Sequence, residues 1–402
     1  MKNRVPVIVA ALGYFVDIYD LILFSIVRVP SLKSLGLSGP TLFEKGILLL
    51  NMQMIGMLLG GVFWGILGDK RGRLSVLFGS ILLYSLANIA NGAVHSIEAY
   101  AAWRFIAGIG LAGELGAGIT LVSEVLPTHK RGLGTTIVAS VGICGAVLAA
   151  QIAEHTDWRT AFTIGGVLGL LLLLLRVGVL ESGIFSKIKS TEVARGDIFY
   201  LFKDRQRFLK YLSCILIGVP VWFVIGILIT FSPEFAKALG MTAEISGGKA
   251  VMYAYIGLAI GDVTSGVLSQ LLKSRKKVVA LFITLTFCLM CAYLGLRELS
   301  ADLFYALCLA LGFGVGYWAV FVTIGAEQFG TNLRATVTTT VPNFVRGSVV
   351  PLTLVFVAAK GSLGAIPGAF AVGTACTLVA LLALRGLEET FYKELDYIEE
   401  SL

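Results

Sequence analysis

GILGDKRGR, residues 65 to 73, places four charged side chains, Asp69, Lys70, Arg71 and Arg73, in a glycine-rich nonet. On either side the chain turns apolar, over 44–67 and over 74–94. Each run is long enough to cross the roughly 30 Å hydrocarbon core of a bilayer as a helix, which takes about 20 residues. The nonet therefore reads as a polar turn joining two membrane spans at one surface. The same alternation of apolar run and charged turn continues along the chain.

Composition agrees. Of 402 residues, 57% are hydrophobic and only 14% are charged, against roughly 25% charged in a soluble domain. This is the composition of a polytopic membrane protein. The six cysteines, Cys144, Cys214, Cys288, Cys291, Cys308 and Cys376, all lie in apolar runs without metal-ligand spacing, so they read as small packing residues. No metal or other cofactor is expected. The formal charge of +7 records membrane topology here, and no nucleic-acid partner is inferred. MKNRVPVIVAALGYF, at the start, has a basic flank and an apolar core but no convincing small-residue cleavage site, so it is expected to persist as the first helix.

Glycine, proline and charge clusters punctuate twelve helices: 6–30, 44–67, 74–94, 98–126, 132–154, 160–180, 209–232, 247–272, 277–296, 301–326, 333–358 and 362–385. An even number puts both termini on one side. One set of alternating turns and ends holds 21 Lys and Arg, among them Lys70, Arg71, Arg73 and Lys273 to Lys277, and the other set holds 8, from Arg28 to Lys360. The positive-inside rule makes the richer face cytoplasmic, so both termini are predicted to lie in the cytoplasm of a cell whose inner membrane holds the protein. A charged connection at 181–208 separates six helices at 1–180 from six at 209–402. Two internal echoes support that division. SEVLPTHKRG (123–132) and AEQFGTNLRA (326–335) share Glu, six residues, Arg at an offset of 203, and Gly56, Gly60 and Gly65 return as Gly257, Gly261 and Gly266 at an offset of 201.

With the halves in view, the opening nonet resembles the signature loop between helices two and three of the major facilitator superfamily, roughly Gly-x-x-x-Asp-Arg-x-Gly-Arg. Gly65, Asp69, Arg71, Gly72 and Arg73 nearly fill it, with Lys70 in the first basic place. WRFIAGIGLAGELG (103–116) is similar to the family's fourth-helix motif through Arg104, Gly108 and Gly110. Asp17-x-x-Asp20 in helix one, GELGAG followed by Glu124 and Arg131, and Trp158-Arg159 with Glu181-Ser182 around helix six look most like the metabolite:proton and aromatic-acid:proton symporters. The chain departs from the metabolite pattern in carrying Asp17 where Glu is usual and Gly183 where Pro commonly follows Glu-Ser. The resemblance implies an all-α fold of two pseudo-symmetric six-helix bundles. It also implies a conformational latch in which Asp69 lies near a helix start, Arg71 and Arg73 reach acidic partners, and Glu124–Arg131 and Glu327–Arg334 add ion pairs. A carboxylate at a helix start and charge-assisted bonds to arginine are both favourable. The positive-inside rule alone is the other reading of these basic residues.

GYFVDIYDLILFS (13–25) sets Asp17 and Asp20 one helical turn apart in an apolar span. Ionisable groups at membrane depth cost at least about 2.5 to 3.5 kcal/mol each on insertion scales, so they tend to face the bundle interior and carry function. Two carboxylates at i and i+3 are expected to point to similar sides and to disfavour double ionisation, which suits a proton site. Arg104 and Glu114 of helix four are expected to complete it. An Asp20–Arg104 pair that merely holds helices together, or a Glu114 packed behind Gly110 and Gly118, is the structural alternative.

In the second half, VPNFVRGSVVP (341–351) brings Asn343 and Arg346 into helix eleven between two prolines. A buried guanidinium there suits an anion clamp; an internal pair with Asp262 is the alternative. Tyr19, Trp222, Tyr253, Tyr255, Tyr317 and Trp318 are candidate walls for a small organic ligand, each with core or lipid packing as its plainer explanation. Arg176 is expected to snorkel, and Arg28 to lie near the outer surface.

Together these features predict a monomeric secondary transporter that imports a small organic anion with protons by alternating access. A proton-driven exporter, a gradient-independent facilitator and a non-transporting solute receptor are the competing classes. An enzyme is not expected: there is no nucleotide-binding Gly-Lys-Ser/Thr loop, and His95, His129 and His155 all fall near predicted helix ends.

Overall fold

A computed structural model describes residues 5–71, 73–116, 128–181 and 200–392. Among the described residues, twelve long helical spans are seen. They are α1 (Val5–Ser34), α2 (Gly39–Arg71), α3 (Arg73–Gly92), α4 (Ile97–Leu111), α5 (Thr128–His155), α6 (Trp158–Glu181), α7 (Arg205–Ile229), α8 (Gly247–Leu271), α9 (Arg275–Gly295), α10 (Ala301–Glu327), α11 (Thr331–Gly347 continued by Val349–Leu363) and α12 (Ala365–Arg385). Eleven are long and apolar enough to cross a membrane. The twelfth, α4, has its described part packed against α2 and α3. Large apolar side chains such as Leu174, Leu271, Leu354 and Leu382 point outward, as they would toward lipid tails rather than water.

The spans form two six-helix bundles. In the first, α1 packs on α5, α2 on α4 and α3 on α6; in the second, α8 packs on α10, and α12 on α9 and α11. The bundles meet where α2 runs beside α11 and where α5 and α1 run beside α8.

The glycine repeat explains the shared architecture. A Cβ on Gly56 would stand 2.2 Å from the Phe105 carbonyl oxygen, and one on Gly257 would stand 1.9 Å from that of Leu309. Both positions let two backbones touch, which is how helices associate in lipid, where burying apolar surface between them gains little. The third glycines, Gly65 and Gly266, have no described atom within 4 Å of such a Cβ, so the repeat is a packing device in its first two members only.

Irregularities interrupt α7, α10 and α11. α7 passes through a π-helical turn, Val224–Ile229; α10 breaks between Gly314 and Trp318; α11 carries Pro342. Freed backbone groups at membrane depth need partners inside the protein. At the α10 break the partner is Asp262 of α8, whose Oδ1 accepts from the Ala319 N–H at 2.8 Å. A carboxylate there also complements the positive end of the helix that restarts at Trp318.

Candidate functional site

The centre of the molecule is a contact between the bundles. On α1, Asp17 faces α11, and its Oδ2 stands 3.9 Å from Arg346 Nη2, with side-chain exposures of 0% and 1%. The pair is loose. Neither Asp17 oxygen has a hydrogen-bond donor, and Nε and Nη1 of Arg346 have no acceptor. A guanidinium with Nε and Nη1 left without acceptors in a sealed, low-dielectric site has donors to offer a carboxylate.

Aromatic rings surround it. The Arg346 guanidinium carbon lies 5.7 Å from the centroid of the Trp318 ring. Tyr14 of α1 and Tyr255 of α8, both buried, have Asp17 and Arg346 as charged neighbours. Asp262 does not pair with Arg346; it is engaged with Ala319, because the α10 break places a helix start beside it.

Asp20 goes elsewhere. Contrary to the expectation from the i, i+3 spacing, it does not share a partner with Asp17. Its Oδ1 lies 2.1 Å from where a Cβ on Gly165 of α6 would be, and the Asn88 amide of α3 is beside it. Three residues along a helix turn the chain by about 300°, and in a six-helix bundle that difference points two side chains at different neighbours.

The predicted foursome is likewise divided. Arg104 hydrogen-bonds to Gln53 of α2, and its guanidinium carbon stands 4.7 Å from the Phe24 ring centroid and 5.8 Å from that of Phe162. Glu114 is paired with Arg176, with exposures of 1% and 4%. Arg176 therefore does not snorkel; it is held inside the first bundle with its partner, close to Gly13 of α1.

Several predicted wall residues have partners or neighbours other than Arg346. The Tyr19 hydroxyl donates to the Ala161 carbonyl at 2.9 Å within the first bundle, and that of Tyr317 donates to the Ile217 carbonyl at 2.9 Å within the second. Tyr253 stacks on Tyr305 with centroids 5.5 Å apart. Trp222 is buried on α7, within 3.7 Å of a Cβ built on Gly226. Asn343 donates to the carbonyls of Ala112 at 2.8 Å and Thr339 at 2.9 Å. It ties α11 to the chain just past α4 and is not free to donate to an anion.

Both ends of the inter-bundle seam are closed. At the predicted outer end, Arg28 pairs with Glu234 at 2.7 Å and lies 4.4 Å from the Phe231 ring centroid, and Thr230 donates to Ser25 at 3.0 Å. Arg28 is 1% exposed, buried in contrast to its predicted place near the surface. Above this closure opens a cavity of about 780 Å³, lined by Lys33, Glu154, Glu234, Lys237, Glu244 and Lys249 among others. At the predicted inner end, the Asn343 bond and the close contact of Gly116 with Thr339 seal the seam.

The latch residues are only partly within view. Gly72 and Glu124 lie outside the described residues, as do the side chains of Asp69, Arg71, Arg73, Arg131 and Arg334. Glu327 is described: it pairs with Arg275 at 3.4 Å and accepts from Thr390 at 2.6 Å. Glu389 accepts from Ser274 and from the Arg275 N–H at 2.9 Å, capping α9. That network draws on the basic α8–α9 turn and on residues beyond α12.

Sequence reasoning also passed over α3. Tyr84, Ser85, Asn88 and Asn91 are all fully buried, and their spacing of three and four residues, visible in LLYSLANIANG, marks one polar stripe on a membrane span.

Residues 10–351 match the family model described as Major Facilitator Superfamily. The niacin transporter NiaP of Acinetobacter baylyi is 27% identical over 360 residues, covering 81% of this chain and 80% of that protein. The gentisate transporter of Corynebacterium glutamicum is 26% identical over 400 residues, covering 93% and 86%. The sialic acid transporter NanX of Escherichia coli is 24% identical over 384 residues, covering 88% and 87%. Among solved structures, the proton:xylose symporter XylE bound to 6-bromo-6-deoxy-D-glucose superposes with a TM-score of 0.70 at 18% identity over 97% of this chain and 96% of that one. That last likeness is one of fold.

Proposed function

The chain belongs to the Major Facilitator Superfamily, and from that premise we propose that it is a proton-coupled importer of a small organic acid whose carboxylate is gripped by Arg346. The observation that carries the proposal is the loose Asp17–Arg346 pair, which joins the two bundles at a sealed mid-depth site. In this reading Asp17 and the cargo carboxylate compete for one guanidinium. When a proton neutralises Asp17 from the outer side, Arg346 is released to the cargo, with Trp318, Tyr14 and Tyr255 against its apolar body.

The bundles, 1–180 and 209–402 joined by 181–208, then rock so that the outer closure at Arg28–Glu234 forms and the inner closure at Asn343 opens. Loss of the proton inside returns Arg346 to Asp17 and expels the cargo. Asp20, one turn along α1 with Arg104 of α4 as a charged neighbour, is the second proton-accepting carboxylate. Charge balance makes the order obligatory, since an unneutralised Asp17 and a cargo anion beside one arginine leave a buried charge unpaired, which is costly. Niacin, gentisate and sialic acid, the cargoes in the names of three relatives, are organic acids, which suits a guanidinium. The first two are aromatic, which suits the rings around it.

Uptake into proteoliposomes tests this. Radiolabelled gentisate, nicotinate and sialate, with a neutral sugar and a cationic amine beside them, are offered with and without an inward proton gradient, and one of the acids is expected to accumulate only with the gradient. Accumulation indifferent to the gradient, or preference for a neutral or cationic panel member over every acid, sinks the reading.

A further inference from the structure

Arg28 of α1 is a second buried guanidinium at the seam between the bundles. It is 1% exposed, and its Nη2 donates to the Thr230 carbonyl at 3.2 Å and to Glu234 Oε2 at 2.7 Å. Thr230 directly follows α7, and Glu234 lies in the short helix Ser232–Ala238 after it. Both acceptors therefore belong to the opposite bundle, and Nε and Nη1 have none. Parting the bundles at this end strips Arg28 of the acceptors it holds.

The carboxylate on Arg28 faces a chamber. Glu234 is 29% exposed and lines the cavity of about 780 Å³ outside the closure, a volume within the usual range for small-molecule sites. Of the six charged side chains that line it, Glu154 pairs with Lys249 at 3.3 Å, and Glu234 is held by Arg28. Lys33, Lys237 and Glu244 have no ion-pair partner among the described residues, which leaves two lysines against one glutamate. A cleft with a positive balance raises the local concentration of anions and their rate of arrival.

Aromatic surface lies beside the guanidinium. The Phe231 ring centroid is 4.4 Å from the Arg28 guanidinium carbon, and Phe43 of α2 meets Phe231 edge-on with centroids 5.1 Å apart.

We infer that Arg28 is an entry subsite for the cargo carboxylate, and that Glu234 occupies it while the outer end is closed. The inference rests on the reading of the chain as an importer of an organic acid. As the bundles part, the incoming anion takes the guanidinium from Glu234, with Phe231 and Phe43 beside it, and Glu234 is left to solvent and to Lys237 on its own helix. Water solvates a freed guanidinium but does not neutralise it, whereas a carboxylate does both. Anion arrival thus favours the open state, which binds it better.

Isothermal calorimetry on the full chain in detergent separates this subsite from Arg346. Nicotinate and gentisate are the carboxylate probes, and nicotinamide is the uncharged one. In Arg346→Ala, weak binding of at least one acid should persist. Adding Glu234→Gln, which removes the competing carboxylate, should tighten that binding by about tenfold, the equivalent of one charge-assisted hydrogen bond, and should leave nicotinamide unchanged. Adding Arg28→Gln instead should abolish it, read below the melting temperature of that variant. Lys33→Gln with Lys237→Gln, both at exposed positions, is a second variant that spares the core and should weaken acid binding several-fold. Acid binding that is absent from Arg346→Ala with Glu234→Gln, or that survives Arg28→Gln, overturns the subsite and leaves the reading of Arg346 intact. Equal tightening of nicotinamide by Glu234→Gln also overturns it, because the carboxylate is then not what is recognised. Wild-type acid affinity in Arg346→Ala alone overturns instead the grip assigned to Arg346.

Discussion

Asp17 and Arg346 belong to opposite six-helix bundles, yet their charged ends approach to 3.9 Å with almost no solvent exposure on either side. An ion pair that crosses the seam between two bodies ties its own charge state to their relative position. An ion pair within one body, such as Glu114–Arg176, does not.

If the seam pair couples proton to cargo, Asp17→Asn should cut gradient-driven accumulation while leaving exchange of cargo across a membrane at equal pH within a few-fold of wild type. A coupling free energy of 1–3 kcal/mol makes the expected loss about 5- to 150-fold. Wild-type uptake should quicken as the outer pH falls, and that of Asp17→Asn should respond less steeply, through Asp20 alone. Equal loss of accumulation and exchange would show that Asp17 only holds the structure.

Arg346→Ala should weaken cargo affinity by about 10- to 100-fold, the equivalent of a charge-assisted hydrogen bond of roughly 1.5–3 kcal/mol. Arg346→Lys keeps the charge but loses the two-point fork, and should recover only part. Binding measured by isothermal calorimetry on the acid that accumulates in vesicles decides it; full recovery by lysine would remove the fork from the account.

The Glu114–Arg176 pair is expected to matter for stability rather than coupling. Both side chains are buried, so truncating either one to Ala strands a charge and should cost about 3–5 kcal/mol. Replacing both with Leu and Met should restore most of the melting temperature in detergent. If the double variant melts as low as the single ones, the pair does more than neutralise itself.

At the outer closure, Glu234→Gln removes the partner of buried Arg28 and should favour the outward-open state. A cysteine at Ser25, 6% exposed beneath that closure, should then react several-fold faster with a small polar maleimide. Unchanged labelling would place the gate elsewhere.

Among the paired glycines, Gly257→Ala should cost about 1–3 kcal/mol through overpacking, since its new methyl would meet the Leu309 carbonyl. Gly266→Ala, with open space around it, should melt like the wild type. Equal destabilisation by both would mean that the glycines are kept for flexibility rather than for contact.

How far the site could be read in advance differs from residue to residue. Asp17, Asp20 and Arg346 stood out because charge in an apolar span is conspicuous one residue at a time. Asp262 stood out for the same reason, but its bond to Ala319 depends on a break in α10 that no single residue announces. The polar stripe of α3 was present in the spacing of Tyr84, Ser85, Asn88 and Asn91, but each is neutral and common enough in a span to pass as packing.

Span number, the turn chemistry at GDKRGR and the doubled glycine pattern were legible because each is a property of a short window. Hydropathy adds up over about twenty neighbours, and a residue contributes to it whatever it will later touch. Partnership is different in kind. Whether Arg346 meets Asp17 or Asp262, and whether Arg104 meets Asp20 or Gln53, turns on which faces of distant helices are pressed together. That is set by glycine-backed contacts and helix breaks acting jointly across the folded bundles, where a shift of one residue in register exchanges one neighbour for another.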